Sequence, residues 1–232
     1  MMDRRDMLKV TAAAAAGAVA VFGGAAIALP KREQVKVAFM LGDGTNVIDL
    51  SGPWEVFQDV MLSAAGGMRH PFELYTVGRT LEPVRMTGGF KAIPHYDVTN
   101  APQPDVIVVP AHRTDDRLQA WLKQASAGAD VTMSVCTGAF KLAEAGLLKG
   151  LSATTHHDFW DAFARQHPDI PLQRGLRFVD SGRIATAGGL TSGFDMALHV
   201  VSRYFGDDAA QATATYMEHD SSGWRDGKRA TA

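Results

Sequence analysis

Apolar and polar positions along this 232-residue chain switch between two patterns. Nearly continuous apolar runs at 35–41, 72–78, 104–110 and 131–135 predict strands of the kind buried in a parallel sheet. Helical spacing appears between and after them. A helix over 54–62 is entered through Val47-Ile48-Asp49-Leu50-Ser51-Gly52-Pro53, with Pro53 in its first turn, and Gly66-Gly67 closes that unit. Further helices run from a Thr114 cap to about residue 127, from Lys141 onward, and from Asp158 to about residue 166. The strongest spans 192–205, with Met196, Leu198, Val200 and Val201 as core candidates. Residues 151–155 predict a short strand ending at His156-His157. Pro83, Gly88, Gly89 and Pro94 break the stretch 80–100 into short hairpin strands, and Ser181-Gly182 marks a hairpin between 176–180 and 183–187. After His219 the chain turns small and charged, so residues 221–232 are expected to form a flexible tail.

Strands alternating with helices imply an α/β fold, a mostly parallel sheet with helices on both faces and right-handed crossovers. Sites in such sheets lie beyond the C-terminal strand ends. Asp49, Ala111, Cys136 and His156 all follow predicted strands and are therefore placed to converge. The loop Gly42-Asp43-Gly44-Thr45-Asn46 lacks the spacing of a phosphate-binding loop, and no cofactor is expected.

Residues 1–28 stand apart from this pattern. Asp3-Arg4-Arg5-Asp6-Met7-Leu8-Lys9 precedes an uncharged Ala/Gly/Val-rich run ending in Ala26-Ile27-Ala28, the layout of an export signal. The paired arginines resemble the twin-arginine class, which implies a periplasmic protein that meets the membrane only during export. The alternatives are an anchoring helix, for which the run is poor in Leu and Ile, and a helix of the folded domain. The domain itself is expected over 34–220. Removing the signal, which carries +1, takes the formal charge from -2 to -3. With no Lys/Arg cluster, nucleic acid is not an expected partner.

One cysteine remains, Cys136, in Val135-Cys136-Thr137-Gly138-Ala139-Phe140. It sits where a strand turns without a spacer into a helix. A helix N-terminus there lowers a thiol pKa and binds a developing anion. Core packing is the plainer alternative, since free cysteines are among the most buried residues. A lone cysteine in an oxidising compartment forms no internal disulfide, which leaves catalysis, redox sensing or burial.

These motifs, with Ile48-Asp49-Leu50-Ser51-Gly52-Pro53-Trp54-Glu55-Val56-Phe57 upstream and Ala153-Thr154-Thr155-His156 downstream, resemble the ThiJ/PfpI superfamily over about residues 35–206. The resemblance implies a class I glutamine amidotransferase-like, flavodoxin-like three-layer sandwich with a nucleophile elbow. It is nearest to isocyanide hydratases and to the ligand-like domains of some AraC-type regulators. It makes Cys136 the nucleophile, Asp49 its acidic partner, and Thr137 a donor that holds the reacting group. Asp49 as a cap for the helix at Ser51-Pro53 is the structural alternative. His156 falls where relatives place a histidine after the cysteine, as a base or as a structural residue. His156, His157 and Asp158 as a metal site need further ligands, and none is expected. Where the superfamily has Gly-Gly this chain has Ala111-His112; the Ala111 N–H is expected to line the oxyanion pocket, narrowed by its Cβ. Gly138, Gly189 and Leu190 complete the expected pocket, the last two in a glycine loop that is otherwise only a turn. The implied activity is cofactor-free addition of water to an isocyanide, giving an N-substituted formamide, by a homodimer acting on a small molecule. A redox sensor or small-molecule-binding module using Cys136 is the alternative. A transcriptional regulator is not expected, because no helix-turn-helix follows.

Overall fold

The strand expected at residues 35–41 is the axis of the sheet. The computed structural model describes residues 29–113 and 115–227. In it, β1 (Val35–Leu41) pairs in parallel along its whole length with β2 (Phe72–Gly78), Val35 opposite Phe72 and Leu41 opposite Gly78. A two-residue edge strand, β3 (Tyr96–Asp97), adds to β2, while β4 (Val106–Val109) lies on the other side of β1. Next comes β5 (Val131–Ser134), and the hairpin β6 (Phe178–Asp180) and β7 (Ile184–Ala187) completes a seven-stranded sheet in the order β6-β7-β5-β4-β1-β2-β3. Among the described residues of this sheet, only the β6–β7 pair is antiparallel.

Alternation along each strand splits the core into two layers. Val37, Phe39, Val106, Val108 and Met133 pack against helices α1 (Val47–Gln58), α5 (Ser192–Phe205) and α6 (Asp207–Tyr216). Ala38, Met40, Ile107 and Val109 face α2 (Asp116–Ala125), α3 (Gly138–Glu144) and α4 (Trp160–Gln166). The flavodoxin-like three-layer sandwich is thus as expected.

Several boundaries differ from the sequence reading, each for a local reason. α1 begins at Val47, seven residues before the expected start, because Asn46 Oδ1 accepts the Ile48 N–H at 3.3 Å and caps the first turn. Pro53 therefore lies inside the helix, and Asp49 is in its first turn rather than capping it. α1 ends at Gln58, and Leu62–Ala64 and Gly67–Arg69 form a small hairpin instead. Thr114 lies outside the described residues; the α2 cap is Asp115, whose carboxylate takes the Arg117 and Leu118 N–H groups. Residues 151–155 form no strand, only an Ala153–Leu172 bridge, since the Thr154 N–H goes to the Thr186 hydroxyl at 2.8 Å.

The C-terminal region is the largest departure. α6 is rich in Ala and Thr and has only a weak apolar face, and it went unpredicted. Nor do residues 221–227 fray. Trp224 is 1% exposed and joins the α5–α6 core layer, its carbonyl bonds to His199 Nδ1 at 3.1 Å, and the Gly227 carbonyl takes the Arg177 N–H at 2.6 Å. Burying an indole outweighs the polar character of its neighbours.

Candidate active site

Cys136 stands at the end of β5 with φ 58°, a left-handed conformation that costs a non-glycine residue about 1–2 kcal/mol. The backbone on both sides holds it there. Its N–H donates to the Gly188 carbonyl at 2.8 Å, and its own carbonyl accepts the Thr155 hydroxyl at 2.8 Å. Two residues on, a Cβ at Gly138 would stand 2.0 Å from the Val109 carbonyl oxygen, so only glycine lets α3 start directly on β4. The Thr-Gly pair after the cysteine thus serves elbow geometry.

Asp49 approaches the elbow from α1. It is fully buried, and its Oδ2 accepts the Ala111 N–H at 3.3 Å. The Leu190 N–H and the Cys136 thiol also favour its charged form, yet burial outweighs all three and raises its pKa from 3.8 to about 6. Oδ1 is buried with no partner at hydrogen-bonding distance. Leu190 is itself left-handed, φ 53°, which the non-glycine residue adopts within the loop that also receives the Cys136 N–H.

The thiol behaves opposite to expectation. Burial, and next the Asp49 charge, push its pKa up to about 12, against the opposing pull of the Thr137 N–H and hydroxyl. A seven-residue helix offers too little to offset desolvation at a site 6% exposed. At neutral pH the pair is therefore a neutral thiol facing a carboxylate. The thiol proton can therefore pass to Asp49 when sulfur attacks an electrophile.

Ala111 and His112 both line the cleft that holds Cys136. The Ala111 N–H is given to Asp49 and is not free for substrate, and its carbonyl takes the Asn46 N–H at 2.9 Å. Ala111 is not among the left-handed residues, so alanine fits without strain. His112 turns its Nδ1 to the Pro110 carbonyl at 2.8 Å, and its ring lies where a Cβ on Gly42 would be 2.5 Å from Cδ2. Gly42 thus makes room for the His112 ring, a packing need that sequence alone did not show.

His156 follows Thr155, whose hydroxyl holds the Cys136 carbonyl. Its Nδ1 accepts the Asp158 N–H at 3.2 Å, capping the short 3-10 turn His157–Phe159, and its ring stacks on His157 at 4.4 Å. Gly189 makes the close approach expected of its loop, since a Cβ there would be 1.9 Å from His156 Cδ2. Among the described residues His156, His157 and Asp158 are the one group of three whose ligand atoms lie within 4.8 Å of one another. His157 and Asp158 are exposed and pair at 3.1 Å.

Cys136 and Thr137 open into a cleft of about 750 Å³ lined by Gly44, Arg85, Met86, Ala111, His112 and Phe159 among others. The Arg85–Thr87 wall comes from the hairpin Val84–Arg85 and Lys91–Ala92, pinned over α1 by Gly44 N–H to the Arg85 carbonyl at 2.7 Å and Thr87 N–H to the Thr45 carbonyl at 3.0 Å. No local signal in residues 84–92 marks them as cleft walls; only the fold brings them there.

With this geometry in hand, comparison with known proteins is direct. The sequence profile of the DJ-1/PfpI family matches residues 35–203. Isonitrile hydratase of Pseudomonas putida is 29% identical over 191 residues, covering 80% of this chain and 78% of that one. The transcriptional regulator GbdR of Pseudomonas aeruginosa is 27% identical over 78% of this chain, which spans half of the regulator's length. Among solved structures, a ThiJ/PfpI family protein from Pseudomonas syringae superposes with a TM-score of 0.72 at 27% identity, covering 83% of this chain and 78% of that one. DJ-1beta of Drosophila melanogaster, at 15% identity and a TM-score of 0.68 over 80% of this chain and 98% of its own, shares the fold.

Proposed function

This chain belongs to the DJ-1/PfpI family, and from that premise we propose that it is a cofactor-free cysteine enzyme of isocyanide hydratase type. The observation that carries the reading is the buried pair of a neutral Cys136 thiol and an Asp49 carboxylate of raised proton affinity. Cys136 Sγ attacks the terminal carbon of the isocyanide, and Asp49 takes the thiol proton and delivers it to that carbon. The product is a thioimidate, Cys136–S–CH=N–R. Thr137, whose N–H and hydroxyl already favour negative charge on the sulfur, steadies the developing charge. Water then replaces sulfur and releases the N-substituted formamide.

Incubating the purified full chain with a simple alkyl isocyanide and following the formamide proton by NMR tests the reading. Catalytic formamide formation is expected; its absence at high protein concentration would remove the assignment. A redox-sensing Cys136 is the second reading, and the raised thiol pKa weighs against it, because peroxide oxidises thiolate rather than thiol.

Export by a twin-arginine-type signal over residues 1–28, to the periplasm, belongs to the same proposal and rests on Arg4-Arg5 and the run that follows. Replacing both arginines by lysine is expected to retain the chain in the cytoplasm, as read by fractionation; unchanged distribution would refute the signal. The homodimer is likewise proposed, from the family.

A further inference from the structure

The antiparallel ladder between β6 and β7 runs one residue past both strands, toward the elbow. Arg177, just before β6, takes the Gly188 N–H on its carbonyl at 2.8 Å. The carbonyl of that same Gly188 receives the Cys136 N–H at 2.8 Å. Arg177 and Cys136 thus hold opposite sides of one residue, the first of the loop that leads into α5.

The Arg177 side chain reaches the far end of that loop as well. Nη2 donates to the Thr191 carbonyl at 2.7 Å and Nη1 to the Thr191 hydroxyl at 3.2 Å, while Nε donates to Asp195 Oδ2 at 2.5 Å. A planar guanidinium serves both directions at once, which the single nitrogen of a lysine does not. Thr191 is the N-cap of α5, yet its side chain makes no capping bond to its own helix. Its hydroxyl is turned to Arg177 instead. Asp195, in the first turn of α5, is fully buried and also accepts from His219 Nε2 at 2.9 Å and the Ser221 hydroxyl at 3.3 Å. Burial opposes its charge, but His219, Arg177 and Ser221 together hold its pKa below the usual carboxylate range. The anchor of the fork therefore stays ionised where Asp49 titrates.

Between these two attachments lies Leu190, left-handed at φ 53° and 39% exposed. A backbone of that kind persists only where its surroundings hold it, and a half-exposed side chain does little of the holding. Bonds from the Ser192 N–H to the Gly189 carbonyl at 3.1 Å and from the Gly193 N–H to the Leu190 carbonyl at 3.0 Å tie the loop to α5. Arg177 ties it to the sheet on both sides of Leu190.

We propose that Arg177 is a positioning residue of the site, fixing this loop so that the Leu190 N–H meets Asp49 and the Gly188 carbonyl holds the Cys136 N–H. The inference rests on the Asp49–Cys136 pairing read above. The groups that act on Asp49 are the Ala111 N–H, the Cys136 thiol and the Leu190 N–H, and the last depends on the loop. An N–H that favours the carboxylate lowers its pKa, so a slackened loop lets that pKa rise.

The test is a carbon-13 NMR titration of the full chain labelled at its aspartate carboxyls, with the Asp49 signal identified by its loss in Asp49→Asn. Arg177→Lys, which keeps a charge for Asp195 but not the fork, and Arg177→Gln are compared with wild type. In both, the Asp49 midpoint is expected to rise from about 6 by about half to one pH unit. Arg183→Gln controls for general loosening, since Arg183 sits at the opposite end of β7 and its Nη2 bonds the Ser126, Ala127 and Ala129 carbonyls. It is expected to lower the melting temperature and leave the midpoint unmoved. An unmoved midpoint in the Arg177 variants, or an equal rise in Arg183→Gln, would overturn the role. If near-ultraviolet circular dichroism shows the Arg177 variants unfolded, Thr191→Val decides, because it removes only the hydroxyl that Nη1 meets. A smaller rise is then expected, and no rise would overturn the role. No isocyanide enters the titration, so failure of the hydratase reading and failure of this one are read by separate signals.

Discussion

Asp49→Asn is expected to raise the stability of the protein at pH 7.5 and lower kcat/KM by about 10²–10⁴-fold, opposite effects from one atom change. Burial raises the Asp49 pKa from 3.8 to about 6, so the folded state favours the protonated form. That contribution is fully present below pH 3.8 and is lost as pH rises through about 6. Above it the fold carries an ionised, fully buried carboxylate, at a cost on the order of 3 kcal/mol by linkage. Asparagine keeps an oxygen for the Ala111 N–H and removes the charge. Denaturant melts are expected to show the variant ahead at pH 7.5 and level with wild type at pH 4. A variant less stable at pH 7.5 would mean that the carboxylate is held for structure.

Removing the sulfur is the larger effect on turnover. Cys136→Ala is expected to abolish formamide formation, a loss of about 10⁴-fold or more, because no neighbouring group can replace the nucleophile. The fold should survive, since the elbow is held by backbone bonds to Gly188 and Thr155. Cys136→Gly separates chemistry from strain. It is equally inactive, but at φ 58° glycine relieves about 1 kcal/mol and should melt above Cys136→Ala. Equal melting temperatures would mean that the left-handed elbow stores no strain.

Much of this site was legible in the sequence because its parts are sequence-local. Apolar runs marked β1, β2 and β5 nearly to the residue, and Cys136-Thr137-Gly138 at a strand–helix junction announces an elbow. What the sequence concealed depends on burial or on contacts across the sheet. A helix N-terminus after a cysteine reads as thiolate-stabilising, but the burial and the Asp49 charge that reverse it arise only in the folded chain. The Ala111 N–H looked free for an oxyanion until the same carboxylate claimed it. Gly42 carries no local sign that it makes room for a ring seventy residues away. Trp224, in a polar terminal stretch, shows that one large apolar side chain can anchor a segment whose composition reads as tail.

The pH dependence of kcat/KM between pH 4.5 and 9.5 tests the central claim most directly, because it shows which group must titrate before sulfur can attack. Addition of sulfur is the first chemical step, so this parameter reads the Cys136–Asp49 pair. If Asp49 receives the thiol proton, kcat/KM rises with pH through an apparent pKa near 6 and is then flat to pH 9.5. A rate that climbs tenfold per pH unit across the whole range would instead follow the small fraction of free Cys136 thiolate, and would contradict the role given to Asp49.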